Sequence, residues 1–237
     1  MFKKSYLLLL FVAVFCGNIA AQGFLKPFDV VSKKKTSYIT LETGEEIECN
    51  IKKLKRAKKN LIKEVVVKVN GKKRTLKMEE IKHAYFPQSS WDKFFKFEEM
   101  LADATQWGDS PYEMDRLKDG YAYFEKIDII IKGDERKLLM QQLNPFPGAR
   151  VKIYHDPQAG QRGGMGIGGI KVIKSQESNY YVSKDGEMAA RLRKKDYKKQ
   201  FGDLLGDCRK VDKEFGKKKS WTKFEDAITM YNAECKQ

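Results

Sequence analysis

The sequence predicts an α+β protein on three observations. From Ser37 to Phe86, apolar and polar residues alternate in short runs broken by turn signals, the period of half-buried strands. From Tyr121 to Arg191 that alternation returns in more widely spaced runs. From Lys194 onward, apolar residues recur at the helical period behind capping residues. The expected order is a small five-stranded β-barrel, a helical connector, and a C-terminal β-meander packed on about three helices.

Met1 to Ala21 reads as a secretory signal peptide: Lys3 and Lys4 precede an apolar run from Tyr6 to Phe15, and Ala20 and Ala21 close it. The run is shorter than the roughly 20 apolar residues of a membrane span, so no transmembrane segment is expected in the mature chain. Cleavage is expected after Ala21, and Phe15 argues against a lipoprotein signal at Cys16, because that pathway takes a small residue there. The expected location is the periplasm or the outer cell surface.

Removing the first 21 of 237 residues leaves 216, and the loss of Lys3 and Lys4 lowers the net charge from +15 to +13. A cytosolic chain so basic would point to nucleic acid. Export removes that partner and leaves an anionic envelope lipid or glycan, or a partner protein. The plainer reading, lysines that only solvate exposed faces, stands beside it.

Residues 22–35 form a flexible leader ending in Lys33-Lys34-Lys35. Residues 36–87 are the barrel. Ser37–Glu42 and Glu45–Ile51 alternate about Thr43-Gly44, which puts Cys49 on the apolar face. Leu61–Val69 and Lys72–Lys77 flank Asn70-Gly71, a turn whose central residues both need positive φ. A helical turn at Met78–Glu80 and a strand at Ile81–Phe86 complete a pattern of the Sm-like or Src-homology-like kind. That shape alone licenses no function.

Residues 88–120 are an aromatic helix and linker: Trp91, Phe94, Phe95, Leu101, Ala104 and Trp107 fall near a 3.6-residue period. Residues 121–237 are the meander and the C-terminal helices. Tyr121–Lys132 is an expected strand and Arg136–Leu143 a short helix, followed by strands at Val151–Tyr154, Ile170–Ile173, Asn179–Ser183 and Glu187–Arg191. Helices are expected at Lys194–Leu205, at Cys208–Phe215 with Asp207 as its cap, and from Ser220 or Thr222 to Cys235.

Cys49, Cys208 and Cys235 remain in the mature chain, enough for one disulfide and a leftover thiol. Antiparallel packing of the last two helices sets Cys208 beside Cys235, closing a loop of about 26 residues that contributes roughly 3 kcal/mol. Spacing alone leaves a pair with Cys49 open.

Leu143-Asn-Pro145, Val151-Lys-Ile-Tyr-His-Asp-Pro157, Asn179-Tyr-Tyr-Val-Ser-Lys184, Asp207-Cys208 and Tyr231-Asn232 through Cys235 carry a likeness. In these the chain resembles a family of exported, uncharacterised proteins of Bacteroidota-type bacteria. The resemblance implies an envelope location and the Cys208–Cys235 pairing, and it transfers no site.

The stretch Tyr154–Ile170 concentrates six of the eighteen glycines and His155, one of two histidines. His155, Asp156, Gly163, Gly164, Gly166, Gly168 and Gly169 make it the candidate functional loop. Gly164, Gly166 and Gly169 fit the dinucleotide fingerprint, but Ile170-Lys-Val-Ile173 prefers a strand where that motif needs a helix. A hydrolase would use His155, Asp156 and the glycine amides as an oxyanion site, yet no Gly-x-Ser-x-Gly elbow occurs. Two histidines without ligand spacing indicate no metal, and no cofactor is expected. The basic runs Lys52–Lys63 and Arg193–Lys199 are the other candidates. The resulting expectation is a non-enzymatic binding or structural module acting through basic surfaces, with the hydrolase as the alternative.

Overall fold

A computed structural model describes residues 24–28, 30–57, 60–88, 110–159 and 179–235. The signal peptide, the aromatic helix Trp91–Trp107, the glycines from Gly163 to Gly169 and the strand expected at Ile170–Ile173 lie outside the described residues.

The N-terminal strands are β1 (Ser37–Leu41), β2 (Glu46–Arg56), β3 (Ile62–Val69) and β4 (Lys72–Lys77). A 3-10 turn at Met78–Glu80 leads into β5 (Ile81–Pro87). A short helix α1 (Met114–Lys118) precedes β6 (Tyr121–Ile131), β7 (Asp134–Gln141), β8 (Val151–His155), β9 (Asn179–Lys184) and β10 (Ala189–Arg193). The chain ends in α2 (Tyr197–Leu205), α3 (Arg209–Phe215), a 3-10 turn at Trp221–Lys223, and α4 (Phe224–Glu234).

The expected five-stranded barrel does not close. All ten strands form one mixed sheet in the order β4-β3-β2-β1-β5-β6-β10-β9-β8, with β7 also on β6. β5 gives its second edge to β6, from His83↔Glu125 to Pro87↔Tyr121, and β4 is left as the outermost strand. The class remains α+β. A simple C-terminal meander is corrected too, since β10 runs parallel to β6 at Ala189↔Ile129 and Ala190↔Ile130.

The helix expected at Arg136–Leu143 is strand β7, paired with β6 from Phe124↔Gln141 to Ile131↔Asp134. Lys132 and Gly133, at φ 56° and 91°, make a tight hairpin turn there. Leu138, Leu139, Met140 and Gln141 are all buried, so both faces of the strand's second half are covered and the two-residue period is hidden there.

One core lies under β1–β5, where Ile39, Val65, Val67, Leu76 and Phe86 meet Phe124 and Leu139 from the second half. The other packs α2–α4 on one face of β8–β10, with Phe201, Leu205, Val211 and Tyr231 against Val151, Ile153 and Leu192. Trp221 and Phe224 stack there with ring centroids 4.7 Å apart. The leader is bound to both cores. Phe24 packs edge-on against Tyr180 and Phe224, and Phe28 meets Phe86 and Phe124 while its N–H donates to Gln141 Oε1 at 2.6 Å. Burial of those two aromatic rings offsets the entropy of holding the segment.

Cys208 and Cys235 form a disulfide with a Cα separation of 5.8 Å, and Cys49 is a buried free cysteine whose thiol is pushed up to about 11 by burial. No helix among the described residues is long and apolar enough to cross a membrane.

Candidate functional site

Of the candidate loop, the structure places His155 and Asp156. His155 ends β8, half-buried, opposite Tyr180 of β9. Asp156 is fully buried, and its Oδ2 receives Arg191 Nε at 2.8 Å and Nη2 at 2.6 Å. Its Oδ1 accepts from the Gln158 N–H at 3.0 Å, closing an Asx turn. The carboxylate is thereby committed to Arg191 and its own turn, and those contacts do not make it an orienting acid for His155.

Register assembles a second cluster that local sequence does not show. Tyr38↔Tyr85↔Tyr123 and Thr40↔His83↔Glu125 form two adjacent rows across β1, β5 and β6. Glu125 Oε1 accepts from Tyr154 Oη at 2.7 Å and from Lys152 Nζ at 3.2 Å. Tyr112 donates to Gln142 Oε1 at 3.1 Å, and Tyr85 Oη accepts from the Glu113 N–H at 2.8 Å. Burial holds four of these phenols in their protonated form: Tyr85 is pushed up to about 12, and Tyr112, Tyr123 and Tyr154 rise further. His83 is shifted down, chiefly by burial and then by Lys82, against the pull of Glu46 and Glu125. Such groups are donors and packing elements rather than ready bases. No metal-binding group of three His, Cys, Asp or Glu side chains forms among the described residues.

A third cluster pins the C-terminal helices. Arg150 forks onto Asp185 at 2.7 and 2.8 Å and donates to the Cys235 carbonyl at 2.8 Å. Asp207, expected to cap α3, instead accepts from Tyr231 at 2.8 Å and Lys184 at 3.0 Å. The first residue before α3 is Cys208, without a side-chain cap bond. Asn144 and Asn232 both donate to the Val151 carbonyl. These residues, many within the motifs quoted above, are an interlocked staple with its polar groups satisfied.

The remaining cluster is basic. In β2, β3 and β4 the residues facing away from the core form three rows: Asn50↔Lys68↔Lys73, Lys53↔Val66↔Thr75, and Lys55↔Glu64↔Lys77. The ladder shifts register between Ile51 and Lys53, which brings Lys53 and Lys55 onto this face. Lys53, Lys55, Lys68, Lys73 and Lys77 are exposed around buried Val66. The pair Lys55–Glu64, at 2.6 Å, is the one ion pair of the face among the described residues. Lys68 stands directly opposite Lys73, a like-charge placement that disfavours the bare sheet. The basic run at Lys52–Lys63 signalled one edge of this face, but its union with Lys68, Lys73 and Lys77 depends on strand register. Of the second basic run, Arg193 pairs with Asp196 at 2.5 Å, and Lys195, Lys198 and Lys199 are exposed near or on α2.

Comparison with protein-family models, with curated proteins and with solved structures finds no match for this chain.

Proposed function

We propose that the chain is an exported, non-enzymatic binding module of the cell envelope, and that it holds an anionic partner on the outer face of β2–β4. The observation that carries this reading is the lysine grid: five exposed lysines against one glutamate, with Lys68 opposite Lys73. Bringing like charges together costs free energy in the unbound sheet, and an anion spanning them removes that cost. The signal-peptide pattern and the Cys208–Cys235 disulfide support an oxidising compartment outside the cytoplasm. Capture of Asp156 by Arg191 weighs against the hydrolase alternative.

The test uses the chain lacking residues 1–21 with dextran sulfate as a generic polyanion. Binding is expected to weaken steeply as salt rises from ~0.01 to ~0.15 M, where the screening length falls from ~30 to ~8 Å. The triple variant Lys53→Gln, Lys68→Gln, Lys73→Gln is expected to lose most of the binding at low salt. Salt-independent binding, or full binding by the triple variant, overturns the assignment.

A further inference from the structure

The main chain of β4 narrows the identity of the partner, and this step rests on the basic face being the binding surface. β4 is one of the two terminal strands of the sheet order and, among the described residues, pairs β3 alone. Asn70 and Gly71 have φ of 47° and 82°, the two positive values of a type I′ turn. That two-residue turn makes Val69 and Lys72 a hydrogen-bonded pair, and bonded pairs alternate with non-bonded ones along an antiparallel ladder. Val67↔Arg74 and Val65↔Leu76 are therefore bonded, whereas Lys68↔Lys73, Val66↔Thr75 and Glu64↔Lys77 are not. The main-chain N–H and C=O of Lys73, Thr75 and Lys77 consequently face out of the sheet edge. The Lys77 N–H fits that phase, since it donates to Glu80 Oε2 at 2.7 Å. At Lys73 and Thr75 the outward N–H groups have no backbone or side-chain acceptor among the described residues.

We propose that β4 is a docking edge for an acidic polypeptide segment that adds to the sheet as a further strand. Main-chain bonds to Lys73 and Thr75 supply the pairing, and the side chains supply the choice. Lys73 and Lys77 project on the outer face, while Lys72 and Arg74 project on the other, and all four are exposed. An incoming strand therefore meets positive charge on both of its faces. A neutral strand gains nothing from it, and a second copy of Lys72-Lys-Arg-Thr-Leu-Lys77 is repelled. A lipid surface is the weaker fit, because interfacial binding uses apolar side chains that enter the bilayer. Among the described residues the exposed large hydrophobic side chains are Val30, Ile130 and Met188, none of them on β2–β4.

The experiment measures binding of an end-capped peptide of alternating Glu and Thr to the chain lacking residues 1–21. Two analogues of equal charge are compared, one N-methylated at every Glu and one at every Thr. One of them is expected to bind about tenfold more weakly, because it has lost the N–H groups aimed at β4. On the protein, Thr75→Pro deletes an outward donor without touching the β3 ladder or any charge, and it is expected to weaken the peptide about as much. Equal binding of the peptide and both analogues overturns the edge-docking proposal. So does binding of dextran sulfate without binding of the peptide, and that result leaves the basic-face function standing. Failure of both ligands overturns the two readings together.

Discussion

Asn232 of α4 holds Val151 of β8 by both of its main-chain groups: Oδ1 accepts from the Val151 N–H at 2.9 Å, and Nδ2 donates to the Val151 carbonyl at 2.9 Å. Both residues are buried, at 6% and 0% exposure. Asn144 also donates to that carbonyl, at 2.8 Å, so only the Val151 N–H depends on Asn232 alone. Asn232→Ala leaves this donor without its partner and is expected to cost about 1–3 kcal/mol. Asn144→Ala removes both its bond to the Val151 carbonyl and its acceptance from the Ile153 N–H at 2.7 Å, with a cost of similar size. Urea unfolding monitored at the tryptophans reads both; a midpoint unchanged in either variant contradicts the staple.

The disulfide ties the same region shut. Cys208 and Cys235 are 27 residues apart, and a crosslink of that span contributes about 3–4 kcal/mol in the chain-entropy model. Reduction, or the pair Cys208→Ser with Cys235→Ser, is expected to lower the melting temperature by several degrees. Cys49 supplies an internal control. With its thiol pushed up to about 11 by burial, it carries little thiolate at pH 8 and is expected to resist alkylation until the chain unfolds. Rapid labelling of native protein at Cys49 contradicts its burial.

Lys132 shows where the sequence ceases to announce the fold. β1 and β2 were legible because each buries one face, and the β1–β2 and β3–β4 hairpins because their turns carry Thr43-Gly44 and Asn70-Gly71. The β6–β7 turn uses Lys132-Gly133, without the Asn or Asp that marks such turns, and the second half of β7 buries both faces. Pairings such as β5 with β6, or β10 parallel to β6, join strands far apart in sequence and leave no local mark. The lysine grid had the same difficulty, since Lys53, Lys68 and Lys73 become neighbours only through register. Lys132 itself sits at φ 56°, where a long side chain is disfavoured and Asn is tolerated. Lys132→Asn is therefore expected to stabilise the fold by up to ~1 kcal/mol, read as a raised urea midpoint. A lowered midpoint counts against the turn geometry.

Acid is expected to destabilise the protein in two stages. His83 has its folded pKa lowered by burial, with Lys82 adding to it, so the unfolded chain takes up this proton first. Its contribution is complete above the ordinary value of 6.5 and declines as pH falls below it. Glu46, bonded to Arg116, and Asp185, bonded to Arg150, have their folded pKa values lowered by those partners. Their contributions are complete above the ordinary carboxyl values of 4.5 and 3.8 and are lost as pH falls through the depressed folded values. The urea midpoint is expected to fall as pH drops just below 6.5 in wild type and to lose that slope in His83→Gln. A flat wild-type profile in this window, or an unchanged slope in His83→Gln, contradicts the burial of His83.

Asp156 and Arg191 are unequal partners, which fixes the order in which their variants suffer. The Asp156 side chain is 0% exposed, whereas that of Arg191 is 30% exposed. Arg191→Met strands a buried carboxylate and is expected to cost about 3–5 kcal/mol. Asp156→Asn leaves a neutral amide that still accepts from the Gln158 N–H, and Arg191 can turn its charge to water, so the loss is smaller. In the double variant the stranded charge is gone, and its stability is expected to exceed that of Arg191→Met alone. Urea unfolding of the four proteins completes the double-mutant cycle. Additive losses would show that the ion pair does not hold the end of β8, and would free Asp156 for the chemistry that its pairing with Arg191 otherwise denies it.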